Sequence, residues 1–238
     1  MSQNDDIVLE IDVRDNVRCM IMEKVIESCK RNKEFTFEVK VFVLVVDAYT
    51  KRLLSEFIAM PDLLDKGILG VEQIEFIRKP FKHIHALYFL RPTKENIDLI
   101  ARDFPNEDDR NYGYAHVVFN NFVREDIIKK VKETESIHPF IVNMKYVYLD
   151  FGVEDNSLIT LRKPKLMKQL YSQNCDVDKD ALITEIADQV ASMTTAIGNW
   201  DQVKIIHTDC PDDPAEIIAH KVKASIERMK TEGETKGA

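Results

Sequence analysis

The strongest candidate for chemistry in this sequence is Asp47, an acid that follows an apolar run. Residues 43–46 read Val-Leu-Val-Val, which is the composition of a strand buried on both faces of a parallel sheet. Ligand sites in such sheets open at the carboxyl ends of strands, so Asp47 could act as a catalytic acid or hold a cation. A capping or ion-paired structural role is the alternative that the sequence favours, because aspartate is a preferred N-cap residue.

No phosphate-binding loop accompanies Asp47. Nucleotide-binding turns at this place are rich in glycine, because the backbone must approach a phosphate at a helix N-terminus. Residues 47–55 contain no glycine, and the chain has no P-loop, G-x-G-x-x-G or G-x-S-x-G motif. The pattern therefore favours a binding module without a cofactor over a cofactor enzyme. An α/β small-ligand or nucleotide-binding domain, or an enzyme using Asp47 at the sheet edge, stays open as the alternative function.

The histidines and cysteines form no motif that indicates a metal site. His83 and His85 are two residues apart at a strand entrance and would face the same side, but no cysteine or carboxylate pair stands near them. His116 lies inside an apolar strand, where a hydrogen-bonded core histidine is expected. The cysteines lack paired spacing, so we expect free thiols in a reducing compartment and no metal; they are Cys19, Cys29, Cys175 and Cys210.

Composition excludes two classes of partner. The chain of 238 residues has 33 basic and 41 acidic side chains and a formal net charge of −8, which argues against a nucleic-acid-binding surface. No apolar stretch approaches the roughly 20 residues of a spanning helix. We therefore expect a cytoplasmic protein that does not insert into membranes.

Strand patterns alternate with helix patterns through residue 148, which predicts an α/β fold with a five-stranded parallel doubly wound sheet flanked by helices. An incomplete second α/β domain is expected to follow. The predicted strands are residues 43–46, 68–74, 84–90, 114–119 and 140–148. The predicted helices are residues 12–31, 61–67, 94–104 with Thr93 as cap, 125–133, 182–197 and one that starts at residue 214.

The sequence predicts two domains, residues 1–136 and residues 137–238. In the second, residues 150–177 are expected to be mostly irregular and residues 203–208 to form a short strand. Two long helices and one short strand cannot enclose a core, so this part is interpreted as truncated and as packing on the first domain or awaiting further chain. Residues 1–11 are expected to fray, and residues 231–238 are polar and small, as in a linker.

An ordered series of short motifs gives the chain a more specific resemblance. The series resembles the Sec/Munc (SM) family of syntaxin-binding proteins across nearly the whole chain, and its order and spacing carry the likeness. The motifs are Asp47-x-x-Thr50-x-Arg52-Leu53-Leu54-Ser55, Met60-x-Asp62-Leu63-Leu64, Gly67-Ile68, Val71-Glu72, Arg78-Lys79-Pro80, Ala86-Leu87-Tyr88-Phe89-Leu90, Pro92-Thr93-x-x-Asn96, Asp103-Phe104 and Tyr114-Ala115-His116-Val117-Val118-Phe119.

The resemblance implies a cytosolic regulator of SNARE-mediated vesicle docking and membrane fusion, with no catalytic activity, cofactor or small-molecule substrate. Its partner would be a syntaxin-type SNARE and, beyond that, an assembled SNARE bundle, through which the protein is recruited peripherally to membranes. The exocytic type fits best. Because a full family member is more than twice as long, the chain is interpreted as an N-terminal fragment.

The resemblance also implies two binding sites. The cleft that faces the SNARE would carry Asp47, Arg52, Glu72 and Arg78, whose charges suit polar recognition of a helix bundle. Ala59 stands where exocytic members commonly carry lysine, and Lys79 where they often carry glutamate, so partner specificity is expected to differ.

The second implied site is a pocket for the N-terminal peptide of a syntaxin. Ile128 and Val131 fall at its apolar positions, although the family often has an aromatic residue at the first of these, and the loop over residues 133–140 is shorter here. The alternative is that both residues simply belong to the buried face of a helix.

Overall fold

The computed structural model describes residues 12–30, 41–155, 158–172, 177–197, 204–206 and 213–235. Its centre is a five-stranded sheet in the order β2-β1-β3-β4-β5, in which all neighbouring strands are parallel. The predicted α/β class and sheet are confirmed. The strands are β1 (Phe42–Val46), β2 (Ile68–Gln73), β3 (His85–Leu90), β4 (Ala115–Phe119) and β5 (Ile141–Tyr146).

Helices cover both faces of this sheet. Successive strand residues point to opposite faces, so Leu44 and Leu87 belong to one apolar cluster, while Val45 and Tyr88 belong to another. The first cluster is covered by α1 to α4 and the second by α5 and α6. The bounds are α1 (Val13–Met20), α2 (Ser28–Lys30), α3 (Ala48–Phe57), α4 (Met60–Asp65), α5 (Lys94–Asp103) and α6 (Glu125–Glu133), with a short 3-10 turn at Glu135–Ile137.

The predicted helix over residues 12–31 forms, but not as one regular α-helix. A π-helical segment, Ile21–Glu27, separates α1 from α2. Ile21, Val25 and Ile26 inside it are all fully buried. In a regular α-helix these three side chains would spread over more of the helix surface than one narrow apolar stripe. The wider π turn lets all three face the sheet, and periodicity alone does not predict this.

The expectation of mostly irregular structure over residues 150–177 is wrong. This region contains an antiparallel hairpin of β6 (Gly152–Asp155) and β7 (Leu158–Thr160), followed by α7 (Leu166–Tyr171). The two strands are four and three residues long, too short to show alternation. Val153 is buried in the first apolar cluster, so contact with the main sheet's helices stabilises the hairpin.

Two long helices follow, α8 (Lys179–Ile197) and α9 (Pro214–Thr235). The strand expected over residues 203–208 is not formed by residues 204–206, and its other positions lie outside the described residues. The tail expected from residue 231 is helical as far as Thr235, as a continuation of α9. Residues 1–11 and Gly198 lie outside the described residues.

The α8–α9 pair contacts the main α/β unit through α1 and through the segment that follows β4. Arg228 of α9 stacks over the Phe122 ring, 4.0 Å from its centroid, and donates to Asp188 of α8 at 3.0 Å. Ser225 donates to the same carboxylate at 2.9 Å. Because β5 pairs with β4, the main sheet includes residues beyond 137. The division into domains of residues 1–136 and 137–238 stays a prediction. None of the helices described is long and apolar enough to cross a membrane.

Candidate functional site

Asp47 lies at the carboxyl end of β1 and caps α3. Its Oδ1 accepts from the Thr50 backbone N–H at 2.8 Å, and Thr50 Oγ1 accepts from the Asp47 N–H at 3.1 Å. This reciprocal capping box confirms the structural role that the sequence favoured. The Thr50 hydroxyl also donates to the Phe89 carbonyl at 2.6 Å, so the helix start is tied to β3.

The second oxygen of Asp47 fills the place where α/β sheets usually bind ligands. The strand order puts the topological switch between β1 and β3. There, Asp47 Oδ2 accepts from the Arg91 N–H at 3.0 Å, from Arg91 Nε at 3.1 Å and from Asn96 Nδ2 at 2.9 Å. Because Asp47 has no exposed surface and both its oxygens are engaged, no observation favours an enzyme or nucleotide site built on it.

The charge of Asp47 is stabilised by these contacts. Burial alone would raise the pKa of the carboxyl, but the backbone hydrogen bonds from Thr50 and Arg91, the Arg91 charge and the Asn96 amide together lower that pKa below its ordinary value. The residue is therefore an anchored anion that joins β1, α3 and the start of α5.

Arg78 lies in a second buried network at the end of β2. Its guanidinium, with the side chain 4% exposed, pairs with the fully buried carboxylate of Asp103 in α5. Asp103 also accepts from the Tyr88 hydroxyl at 2.8 Å and from Asn111 Nδ2 at 2.9 Å. Arg78 Nε lies 3.6 Å from Glu72. Burial and the adjacent Asp103 raise the pKa of Tyr88 well above its ordinary value, so the phenol remains a donor.

The Arg78 network holds the loop that follows β2, and this loop presents two apolar side chains to solvent. Phe76 is 63% exposed and Ile77 is 96% exposed. Arg78 donates to the carbonyls of Gln73 and Phe76 at 2.7 and 3.3 Å, and Arg102 donates to the Phe76 carbonyl at 3.1 Å. Two arginines thus fix the backbone, and the Phe76–Ile77 tip is a rigid, exposed apolar feature.

The four predicted cleft residues differ in accessibility. Arg52 is exposed, with its side chain 68% accessible and its Nε 3.4 Å from Glu56. Glu72 is partly accessible and accepts from the Tyr112 hydroxyl at 2.7 Å. Asp47 and Arg78 are internal, so any effect of theirs on a partner would come through the segments they position. Their assignment to SNARE binding stays a prediction.

The Asp47 and Arg78 segments are brought together at one edge of the sheet. The Ile74 N–H donates to the Val46 carbonyl at 2.9 Å, and the Ala48 N–H donates to Glu75 Oε1 at 2.9 Å. The end of β1, the start of α3 and the Phe76–Ile77 tip therefore form one continuous surface. We call it the carboxyl-edge surface, and its exposed members are Lys51, Arg52, Glu75, Phe76, Ile77 and Lys79.

The two residues predicted for a peptide pocket occupy different positions on α6. Ile128 is 42% exposed, whereas Val131 is half-buried against the second apolar cluster. The buried face of the helix is carried by Ile127. Ile128 is therefore not explained as a core residue, and its role in peptide binding stays a prediction.

His85 and His116 take up structural positions in the sheet. His83 is exposed, and His85 points into the sheet, where its Nδ1 lies 3.1 Å from Nε2 of His116. The expected His83–His85 pairing on one side is not formed, because β3 begins only at His85. His116 is a core histidine, as predicted. Burial, His85 and Lys145 lower the pKa of His116 to about 4; burial also lowers that of His85.

Acid should destabilise the fold through His116. The unfolded residue titrates near 6.5, so the stabilising effect of the neutral form is fully present above that pH and is lost as the pH falls toward about 4. Linkage predicts a loss of about 2 kcal/mol in unfolding free energy between pH 7.5 and 5. Urea titrations at both pH values should show this loss reduced in His116→Gln but retained in the exposed control His83→Gln; equal losses in both variants would contradict the assignment.

Sequence reasoning missed the partners that make these networks. Arg91, Asn96 and Asp103 hold Asp47 and Arg78, and Arg102 holds the tip. Asn96 and Asp103 belong to motifs that carry the family resemblance, and that membership is the signal that could have found them. Arg91 and Arg102 had no such signal. The exposure of Phe76 and Ile77 also had none, since apolar residues after a strand normally predict burial.

Comparison with known proteins identifies relatives along most of the chain. The model of the Sec1 family matches residues 42–236. The probable protein transport Sec1a of Oryza sativa is 22% identical over 192 residues, which is 80% of this chain and 28% of that protein. This chain thus spans little more than a quarter of that relative.

Solved structures share the fold. The Unc18–syntaxin 1 complex of Monosiga brevicollis aligns with a TM-score of 0.75 at 22% identity, covering 94% of this chain and 37% of that one. Sly1p in complex with an N-terminal peptide of Sed5p aligns with a TM-score of 0.73 at 24% identity, covering 90% and 38%.

Proposed function

Because the chain belongs to the Sec1 family, we propose that it is a non-enzymatic binding module that recognises a syntaxin-type SNARE in vesicle trafficking. The observation that carries the proposal is the family match along residues 42–236, which includes both buried networks and the carboxyl-edge surface. The solved relatives described above hold syntaxin 1 and a Sed5p peptide, which supports a SNARE of the same class as the partner here.

The carboxyl-edge surface supports a direct role in this binding. Exposed large apolar side chains on a braced loop lose little conformational freedom when they dock, so their burial contributes more fully to affinity. The charged side chains beside them, including Arg52 and Lys79, would set register and association rate. The apolar ridge or groove of a SNARE helix bundle offers a matching partner surface.

The finer features of the proposal concern the trafficking step and the place where the protein acts. We propose the exocytic type, acting in docking and fusion, with the protein held in the cytoplasm and recruited to membranes through its SNARE. Ala59 and Lys79, which stand where exocytic members commonly carry lysine and often glutamate, support an altered partner specificity within this type.

A pull-down with cytosolic domains of syntaxins from different trafficking steps tests the proposal. Retention of at least one of them, in preference to the others, is expected. An arm with syntaxin N-terminal peptides tests the second site, where Ile128→Asp should abolish peptide retention without changing the thermal midpoint. Failure of the chain to bind any syntaxin would reject the proposal.

Charge reversal at Arg52 should weaken SNARE binding without weakening the fold. The side chain is exposed and its pair with Glu56 is a surface pair, which contributes at most about 1 kcal/mol to stability. We expect Arg52→Glu to slow association by about three- to tenfold at low salt, with a smaller effect at high salt. Surface plasmon resonance at two ionic strengths measures this. Lys223→Glu on α9, a reversal at another exposed site, is the control and should leave the rate unchanged.

A further inference from the structure

A second polar site lies over the carboxyl ends of β3 and β4, next to the occupied switch point. A cavity of about 110 Å³ separates the sheet from α8. One buried water requires roughly 10–15 Å³ of cavity volume. The cavity therefore has room for several waters or for one small polar group. Its walls include Thr93, Asn120, Asn121, Phe122, Asp150 and Glu185.

The chemistry of this cavity is an excess of hydrogen-bond acceptors. Asn120 is fully buried, and its Nδ2 donates to Asp150 Oδ1 at 3.3 Å. That bond fixes the orientation of the amide, so Oδ1 points away from Asp150, and this oxygen has no partner in the described part of the chain. A buried acceptor without a donor costs roughly 1–3 kcal/mol, which a bound donor would recover.

Asp150 is a carboxylate without a cation. Asn121 Nδ2 donates to it at 3.0 Å, and no Lys or Arg among the described residues lies within ion-pairing distance of its oxygens. Burial, together with the nearby charge of Glu185, raises the pKa of Asp150 despite hydrogen bonds from Asn121, Tyr49 and Gln189. A group that brings positive charge and several N–H donors would neutralise Asp150 and supply the donor that the Asn120 oxygen lacks.

The other charges at the cavity are already paired or face solvent. Asp188 holds Arg228, Glu185 pairs with Lys163 at 2.8 Å, and Arg91 pairs with Asp47. Arg124 is exposed. The neighbouring Asp188 and Phe122 hold the Arg228 guanidinium by an ion pair and a cation–π contact, so one wall of the cavity already binds this kind of group.

We infer that the cavity is a binding site for a guanidinium or primary ammonium group, held by Asp150 and the Asn120 carbonyl oxygen. A metal ion is the less suitable occupant, because within the described ranges no three His, Cys, Asp or Glu side chains are placed to hold one. The cation can be a free small molecule or the side chain of an Arg or Lys residue in a peptide. The inference does not depend on SNARE binding. A bound cation would bridge the sheet to α8 and stabilise their packing.

Titration of the whole chain with agmatine, monitored by the side-chain amide resonances of Asn120 and Asn121, tests the site without any mutation. Saturable shifts confined to these amides, with a rise in thermal midpoint of about 3 °C at tenfold excess over Kd, are expected. Acetyl-arginine amide represents the peptide source, and tighter binding of either probe identifies the source. Tetramethylammonium carries charge without N–H donors and should produce no saturable shift.

A matched pair of variants locates the response. Asp150→Asn keeps the shape but removes the charge, and should weaken agmatine binding at least tenfold, whereas Asp98→Asn on the surface of α5 should not. Saturation by calcium chloride instead of agmatine would overturn the inference in favour of a metal. The absence of any response in the wild-type chain would leave only water in the cavity and would also overturn it.

Discussion

Replacing Asp103 by alanine is expected to lower the free energy of unfolding by about 4 kcal/mol, because it leaves a buried arginine with only the more distant carboxylate of Glu72 as counter-ion. The Arg78 side chain is only 4% exposed, so water cannot replace the lost carboxylate. Tyr88 and Asn111 lose their acceptor in the same change. For a chain of this size the thermal midpoint should fall by roughly 8–16 °C, which calorimetry measures directly.

Asp98→Ala is the matched control for this prediction. Both aspartates lie in α5, but Asp98 is exposed and pairs with Lys130 at the surface, so its removal should cost no more than about 1 kcal/mol. Asp103→Asn provides a milder change if the alanine variant does not fold. Equal losses for the Asp103 and Asp98 variants would contradict the buried network. Hydrogen exchange of residues 74–80 should also accelerate only in the Asp103 variants, because Arg78 fixes that loop.

Replacing Asp47 by alanine should lower the free energy of unfolding by about 3 kcal/mol. The change removes an N-cap, which contributes about 1 kcal/mol, and the acceptor shared by Arg91 and the buried Asn96. Arg91 is partly exposed and regains water, so the loss is smaller than at Asp103. Urea denaturation at neutral pH measures the change.

The pH dependence of the Asp47 variant provides a second readout. The pKa of Asp47 is lowered in the folded chain, so its stabilising effect is present above about pH 3.9, the ordinary value, and is lost as the pH falls through the lowered pKa. Asp47→Ala should therefore lose less stability than wild type below pH 4. Asp62→Ala removes an exposed aspartate that pairs with Arg18 at 3.0 Å, and it should match wild type at every pH. If the free energy of unfolding of Asp47→Ala fell below pH 4 as steeply as that of wild type, the capping role of Asp47 would be contradicted.

The order of strands and helices through residue 148 could be predicted because each buried strand is a continuous apolar run and each following helix carries a regular stripe. The hairpin and the π-helical segment could not be predicted, for physical reasons. The hairpin at residues 152–160 has strands too short for periodicity, and its stability comes from contacts made elsewhere in the chain. The π segment depends on how the helix fits the sheet.

The candidate site was predictable only in part. Asp47 was found because its position at a strand end is visible in the sequence, and its capping role followed from its residue type. Its burial and its contact with Arg91 depend on the strand order, which brings β1 next to β3. Arg78 was predicted to be an accessible charge on the cleft. Its side chain is instead buried, because it pairs with Asp103, which is 25 residues away in sequence. The Phe76–Ile77 tip exists because this pairing fixes the backbone beneath it.

Isothermal titration of the chain with the cytosolic domain of the syntaxin retained in the pull-down tests the central proposal most directly. Wild type should bind saturably. The double variant Phe76→Ser/Ile77→Ser should bind at least tenfold more weakly with an unchanged thermal midpoint, and Met167→Ser, at a site of similar exposure on α7, should bind as wild type does. Saturable binding that is the same in all three proteins would contradict the role of the carboxyl-edge surface, and no binding by wild type to any syntaxin would contradict the proposed function itself.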